Sequence, residues 1–194
     1  MYLFNARAEG DHNKANDPAY AGARGIINKP AFRKAIRSQR CLVIADAFIE
    51  GTTAEKLNKP YLIYLRDRKP FAFAGIWDCW PDPQTGEIIN SYSIITTVSN
   101  ELIQKLPHHR SPVILEKSYE QQWLHGKYLS DVTWMLKPYK AEFMNGYPIG
   151  NAIRKPDADG SDLIQPTGDR LMPEEHITSR SFLELHGMGR YKIR

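Results

Sequence analysis

Ser93-Ile94-Ile95-Thr96-Thr97 leads through a short polar stretch to Leu106-Pro107-His108-His109-Arg110-Ser111-Pro112-Val113-Ile114-Leu115. The first run has the length and β-branched content of a strand, and Val113-Ile114-Leu115, after the turn His-His-Arg-Ser-Pro, read as the start of another. Between them Leu102, Ile103 and Leu106 share one face at helical spacing, which predicts a short helix against the core. Two imidazoles and a guanidinium therefore sit on a turn braced on both sides by buried elements. Such loops often carry chemistry, since imidazole exchanges protons near neutral pH and Arg is a fixed cation that fits a phosphate oxygen. The same residues also read as a helix end followed by a solvated turn.

Working outward, residues 41–48 (Cys-Leu-Val-Ile-Ala-Asp-Ala-Phe) form one apolar run of strand length, expected to be central and to deliver Glu50 to its end. A carboxylate placed there can hold a raised pKa and move protons, although an exposed Glu at a strand exit is the commoner case. Residues 60–65 start another strand. Phe71, Phe73 and Trp77 alternate with Ala72, Ala74 and Ile76, which predicts one aromatic and one small aliphatic face. Core packing and base stacking both fit that stripe. After the turn Pro81-Asp82-Pro83-Gln84-Thr85-Gly86 the strand ending at Thr97 begins. This succession predicts an α+β fold whose mostly antiparallel, barrel-like twisted sheet carries a few flanking helices; strand-helix alternation of a doubly wound sheet is absent.

At the N-terminal side Asn5, Arg7 and Glu9 alternate, so an extended backbone turns an amide, a cation and a carboxylate to one face. Residues 10–28 read as a loop and 30–39 as a helix with Arg33, Lys34 and Arg37 on a basic side. Ser118-Tyr119-Glu120-Gln121 has the form of a capping box before Trp123, a second helix is expected near 131–136, and 143–149 is a candidate strand. Residues 1–165 read as one domain and 166–194 as a C-terminal extension, loose or docked.

Composition narrows the classes. The 194 residues are 42 % apolar and carry a net charge of +4, which permits a polyanionic partner without demanding one. No run of about eighteen uncharged apolar residues occurs, so the expectation is no membrane span and a cytoplasmic location. Cys41 and Cys79 are too few for a disulfide scaffold or a zinc site, and no metal or other cofactor is expected.

Taken together, four ordered blocks resemble the SOS-response-associated peptidase (SRAP) family of abasic-site processing proteins. They are Asn5-Ala6-Arg7-Ala8-Glu9, the basic helix leading into the run from Arg40 to Glu50, Ser93-Ile94-Ile95-Thr96-Thr97, and His108-His109-Arg110-Ser111-Pro112-Val113-Ile114-Leu115. The resemblance implies a protein that binds single-stranded DNA containing abasic sites and closes a thiazolidine crosslink through a cysteine at its processed N-terminus, after removing its own initiator methionine. It implies association with the nucleoid when DNA is bound. By position Glu50 matches the proton-shuttling carboxylate, His108 the histidine assisting ring opening, and Asn5 the amide that positions the amine. Arg7 and Arg110, with Thr97 beside them, match the residues that grip DNA.

Three departures stand out. The family's cysteine precedes the Asn-Ala-Arg block by several tens of residues, whereas here position 2 is Tyr2; the expectation is either a chain lacking its N-terminal portion or a non-covalent DNA binder. Gly51 stands where a tryptophan often follows the glutamate, and Ser111 where methionine is usual. A hydrolase built on Cys41, Glu50 and His108 is the competing reading, and it requires an accessible thiol of low pKa.

Overall fold

The structure, a computed structural model, describes residues 2–3, 6–7, 24–52 and 54–174, of which 2, 3, 6, 7 and 24 by backbone alone. In chain order the elements are β1 (Tyr2–Leu3), β2 (Ala6–Arg7), α1 (Arg24–Asn28), α2 (Ala35–Ser38), β3 (Arg40–Ala45), β4 (Ala47–Thr52), β5 (Lys56–Leu65), β6 (Phe71–Pro81) and β7 (Ile88–Val98). There follow α3 (Glu101–Gln104), β8 (Arg110–Pro112), β9 (Ile114–Leu115), α4 (Glu120–His125), α5 (Leu129–Thr133) and β10 (Met144–Pro148). Short 3₁₀ turns punctuate the chain after β9 and on both sides of β10.

The strands form a curled, mostly antiparallel arrangement of two sheets, so the α+β expectation holds. The larger sheet runs β1-β7-β6-β3, with β2 and β8 also on β7 and β9 on β6; the smaller runs β10-β5-β4. Only β1 and β2 lie parallel to their neighbour, among the described strands.

β6 shows why this order is stable. Phe71 and Phe73 point into a cluster with Ile63, Leu102, Ile103 and Leu106 between the sheets. Ala74 and Ile76 point the other way, into a cluster with Ile26, Ile36, Trp123 and Val132 beneath the helices. A strand buried on both faces belongs in the middle, and the expected aromatic and aliphatic faces both prove to be core as far as Ile76.

The run 41–48 is not one central strand. It bends at exposed Asp46, so β3 lies at the open end of the larger sheet's path and β4 pairs with β5 in the smaller sheet. A continuous apolar run cannot reveal such a switch, because both halves remain strands with apolar contacts. The switch also brings Phe48 of β4 onto Phe73, ring centroids 5.6 Å apart at 76°.

Other expectations are adjusted in detail. The loop reading of 10–28 fails at its end, where α1 places Ile26 in the core with no exposed surface; residues 8–23 lie outside the described residues. The helix expected over 30–39 is a helical turn leading into α2, with Ile36 buried and Arg33, Lys34 and Arg37 exposed. The capping box at Ser118 does not form. Residues Lys117–Tyr119 make a 3₁₀ turn, α4 starts at Glu120, and Lys117 Nζ meets Glu120 at 2.7 Å instead. Arg40 does the capping at the other end, donating to Ile36 and Arg37 carbonyls of α2, to Trp123 and Leu124 carbonyls of α4, and to the carbonyl of Gly126 just after α4. A guanidinium there meets the partial negative charge of two helix C-termini at once. Residues 166–174 are docked: Leu171 N donates to Gly146 O (2.8 Å), and Tyr64 Oη donates to Glu174 at 2.6 Å.

Among the described residues no helix is long and apolar enough to cross a membrane.

Candidate functional site

Helix α3 sets the position of the His-His-Arg turn. Asn100 caps it, accepting from Ile103 N at 3.1 Å and donating to Tyr139 O at 2.7 Å, while Leu102, Ile103 and Leu106 are buried. The chain therefore leaves the core at a fixed point, turns through His108 and His109, and returns as β8 against β7, with Thr96 opposite Pro112 and Val98 opposite Arg110.

His108 Nδ1 lies 2.7 Å from Arg110 O. A carbonyl can only accept, so Nδ1 carries the hydrogen and Nε2 is left to gain or lose a proton. Nε2 faces Glu50 Oε1 at 3.6 Å, a charge-pair distance longer than a hydrogen bond. Both side chains are about a quarter exposed or less, so the pair is neither sealed in the core nor fully wet.

Burial pushes the Glu50 carboxyl above its ordinary range, partly opposed by the nearby His108 charge and by Gly51 N, which donates to Oε1 at 3.2 Å. A carboxyl that holds its proton more tightly than usual, beside an imidazole whose free nitrogen faces it, can trade one proton between two sites. That arrangement suits a step needing both an acid and a base.

Gly51 is required by the close approach of the chain to itself. A Cβ at this position would sit 2.3 Å from Lys56 O and 2.4 Å from Lys56 C, both backbone atoms across the irregular end of the β4–β5 pairing. The family's frequent tryptophan is therefore incompatible with this local geometry.

Arg110 is aimed by Thr96: Nε and Nη2 both donate to Thr96 Oγ1, at 3.2 and 2.6 Å. On the other side of β7 the backbone of Arg7 pairs with that of Thr96, so two arginine positions flank one threonine. Thr97 faces away. It is 5 % exposed and its hydroxyl donates to Leu136 O at 3.5 Å, so the threonine at this surface is Thr96. Strand alternation makes exactly one of two adjacent threonines face the site, and sequence does not say which. Asn5 lies outside the described residues.

Thus Glu50 and His108 converge, Arg110 sits on the same turn, and the backbone of Arg7 is adjacent. Sequence reasoning missed Thr96 as the anchor of Arg110. His109 was left unassigned; its ring stacks over His108, centroids 5.6 Å apart and 26° from parallel. Cys41 is half-buried and burial pushes its thiol up, the opposite of an activated thiolate, which removes the support for a Cys41 hydrolase. Among the described residues no group of three or more His, Cys, Asp or Glu is placed to hold a metal ion.

Residues 3–156 match the family model described as SOS response associated peptidase (SRAP). The abasic site processing protein YoqW of Bacillus subtilis is 36 % identical over 151 residues, covering 75 % of this chain and 65 % of that protein. The abasic site processing protein HMCES of Gallus gallus is 32 % identical over 176 residues, 80 % of this chain and 52 % of that one. A crystal structure from Bacteroides thetaiotaomicron, 34 % identical, superposes with a TM-score of 0.69 over 84 % of this chain and 65 % of that one. A second, from Bordetella bronchiseptica, is 22 % identical with a TM-score of 0.59 over 75 % of this chain and 74 % of that one; it shares the fold. The chain thus spans between about half and two thirds of the length of these curated relatives.

Proposed function

The chain belongs to the SOS response associated peptidase family, and from that premise we propose that it is the catalytic and DNA-gripping part of an abasic-site processing protein. The observation that carries the reading is the meeting of Glu50, on β4 of the smaller sheet, and His108, on the turn before β8, 58 positions apart in sequence (108 − 50), at 3.6 Å beside Arg110. The nucleophile expected is a cysteine at the processed N-terminus of the whole protein.

The chemistry follows in order. The ring-opened abasic sugar presents an aldehyde at C1′, and the cysteine's α-amine adds to it, giving a carbinolamine. Loss of water needs a proton on the departing hydroxyl, which the protonated Glu50 supplies, becoming a carboxylate. That leaves an iminium that keeps its N–H; the thiol then gives its proton back to the Glu50 carboxylate and its sulfur adds to the iminium carbon, the C–N π pair moving onto nitrogen, which closes a neutral thiazolidine with no net oxidation. His108 Nε2 exchanges protons with Glu50 and with the sugar oxygen during ring opening. Asn5 positions the amine, and Arg7 and Arg110 hold phosphates of single-stranded DNA without reading bases. Thr96 takes the place first assigned to Thr97, orienting Arg110. Such a protein acts in the cytoplasm, at the nucleoid when engaged, and removes its own initiator methionine to expose the amine.

The test uses the complete gene product with a single-stranded oligonucleotide bearing an abasic site. A covalent adduct that depends on a terminal cysteine is expected, slowed roughly 10²- to 10⁴-fold by Glu50→Gln or His108→Ala. Adduct formation indifferent to both substitutions sinks the mechanism. Arg110 held by Thr96 needs no nucleophile, so a non-covalent single-strand binder is the second reading; it is favoured if the complete protein binds the strand but forms no adduct.

A further inference from the structure

The last strand of a sheet leaves one row of its backbone groups without a strand partner, and β10 ends the smaller sheet. Residues 166–174 run along that edge. Ile149 forms an antiparallel bridge with Pro166, Thr167 N donates to Pro148 O at 2.8 Å, and Leu171 N donates to Gly146 O at 2.8 Å. Next to Gly146, the fully buried side chain of Asn145 bonds Met172 as a neighbouring strand would: its amide donates to Met172 O at 2.9 Å and its carbonyl accepts from Met172 N at 3.0 Å. If residues 171–172 left, this amide would be orphaned, which is costly in a buried position.

The segment is fastened on both faces of the smaller sheet. On the face turned away from the larger sheet, where Tyr64 packs with Leu62 and Tyr147, Glu174 Oε1 accepts from Tyr64 Oη at 2.6 Å and from Asn145 Nδ2 at 2.9 Å, while Oε2 accepts from Arg170 Nε at 2.9 Å. On the inner face Leu171 and Met172 pack into the cluster that holds Leu102, Ile103 and Leu106 of α3 and the turn after it. Lys105, the cap of α3, reaches across to them: Nζ donates to Leu171 O at 3.2 Å and lies 2.8 Å from Met172 Sδ.

Two supports of the candidate site therefore meet in one segment. The smaller sheet carries Glu50 on β4, and α3 leads to His108, three positions (108 − 105) after Lys105. The 3.6 Å between the two side chains spans separate supports, so a shift of α3 against the sheet changes it directly. We propose that residues 166–174 are a clasp that sets the Glu50–His108 gap, with Glu174 as its lock and Lys105 as its tie to α3, both of them positioning residues. The inference rests on the reading of the Glu50–His108 site and adds to it the segment that holds its halves together. Arg110 is aimed by Thr96 of β7, in the other sheet, so the clasp acts on proton transfer rather than on the grip for DNA.

The experiment compares Glu174→Ala, Glu174→Gln and Lys105→Ala with the wild type, all as the complete gene product and well below their unfolding midpoints. It reads amide hydrogen exchange without DNA, affinity for a single strand carrying tetrahydrofuran, an abasic analogue that cannot react, and the rate of adduct formation on a saturating abasic strand. Glu174→Ala is expected to quicken exchange at 101–110 as well as at 166–174, to leave the affinity within about twofold, and to slow adduct formation roughly tenfold, since a misplacement of about 1 Å costs up to about 10²-fold. Glu174→Gln keeps an oxygen for Tyr64 and Asn145 and gives up only the pair with Arg170, whose side chain is 41 % exposed, so most of the rate should return. Lys105→Ala, on the surface, is expected to quicken exchange at 101–110 and to slow the adduct about threefold.

Faster exchange confined to 166–174 overturns the clasp, as does an unchanged adduct rate in Glu174→Ala, which leaves the segment a merely structural part. Equal losses of affinity and rate overturn it too, because the whole site would then have been disturbed. Should Glu174→Ala not fold, Lys105→Ala decides alone: unchanged rate and unchanged exchange at 101–110 overturn the clasp. A wild type that forms no adduct overturns the reading of the Glu50 site, while coupled exchange between 166–174 and 101–110 still carries the clasp and uncoupled exchange overturns both.

Discussion

Replacing Gly51 by alanine tests how tightly the fold holds Glu50. The added Cβ would fall 2.3 Å from Lys56 O, where ordinary contact begins at 3.4 Å, so the overlap is 3.4 − 2.3 = 1.1 Å. Both atoms on the far side belong to backbone, and no side-chain rotation relieves the clash. Either the β4–β5 end opens or the backbone at 51 retreats, and both move the neighbouring Glu50 away from His108. Overpacking of this kind costs about 1–3 kcal/mol. For a chain of this size that is a fall in Tm of roughly 2–12 °C. Displacement of a catalytic group by about 1 Å costs on the order of 10²-fold in rate, so the crosslinking rate of the complete protein should drop far more than its stability. Thermal unfolding followed by circular dichroism and a gel-based adduct time course read the two effects separately. A variant with unchanged Tm and unchanged rate refutes the reasoning, since the turn would then yield without consequence. A large loss of Tm at unchanged rate refutes its second half, the coupling between the turn and Glu50.

The remaining expectations are these. Because the folded state holds the Glu50 proton more tightly than the unfolded state, stability attributable to this group is lost as pH rises from the usual carboxylate range through the raised value. Glu50→Gln should therefore be more stable than the wild type near neutrality and equal to it at about pH 3, below both values, as measured by urea unfolding at the two pH values. Arg110→Ala should weaken single-strand binding alike across sequences and lower the salt slope by roughly one, whereas Thr96→Val, which removes the hydroxyl that accepts from Arg110 but keeps the charge, should weaken binding while leaving the slope in place; titrations by anisotropy at several salt concentrations distinguish the two.

Much was legible in order and alternation. The buried faces of β6 and α3 followed from the spacing of Phe71, Phe73, Ala74, Ile76, Leu102, Ile103 and Leu106, because hydrophobic burial imposes the period of each element on its own residues. The four motif blocks named Glu50, His108 and Arg110 as partners without any coordinates. Local patterns said less where the chain had two equivalent choices. Thr96 and Thr97 are chemically alike, and only the register of β7 with β8 turned one to the arginine and the other to Leu136.

Sequence by itself determined most elements and the chemical inventory: strands where apolar residues alternate or run together, a short helix bearing Leu102, Ile103 and Leu106, and Glu50, two imidazoles and several arginines in ordered blocks. Tertiary structure alone decided that the run at 41–48 breaks at Asp46 and changes sheets, which carries Glu50 across to His108. Among the described residues it also left Trp77 exposed where Phe71 and Phe73 of the same strand are buried. The physical reason is that secondary structure answers to neighbours a few residues away, whereas a site between sheets depends on how distant segments pack, and nothing in a local period encodes that distance.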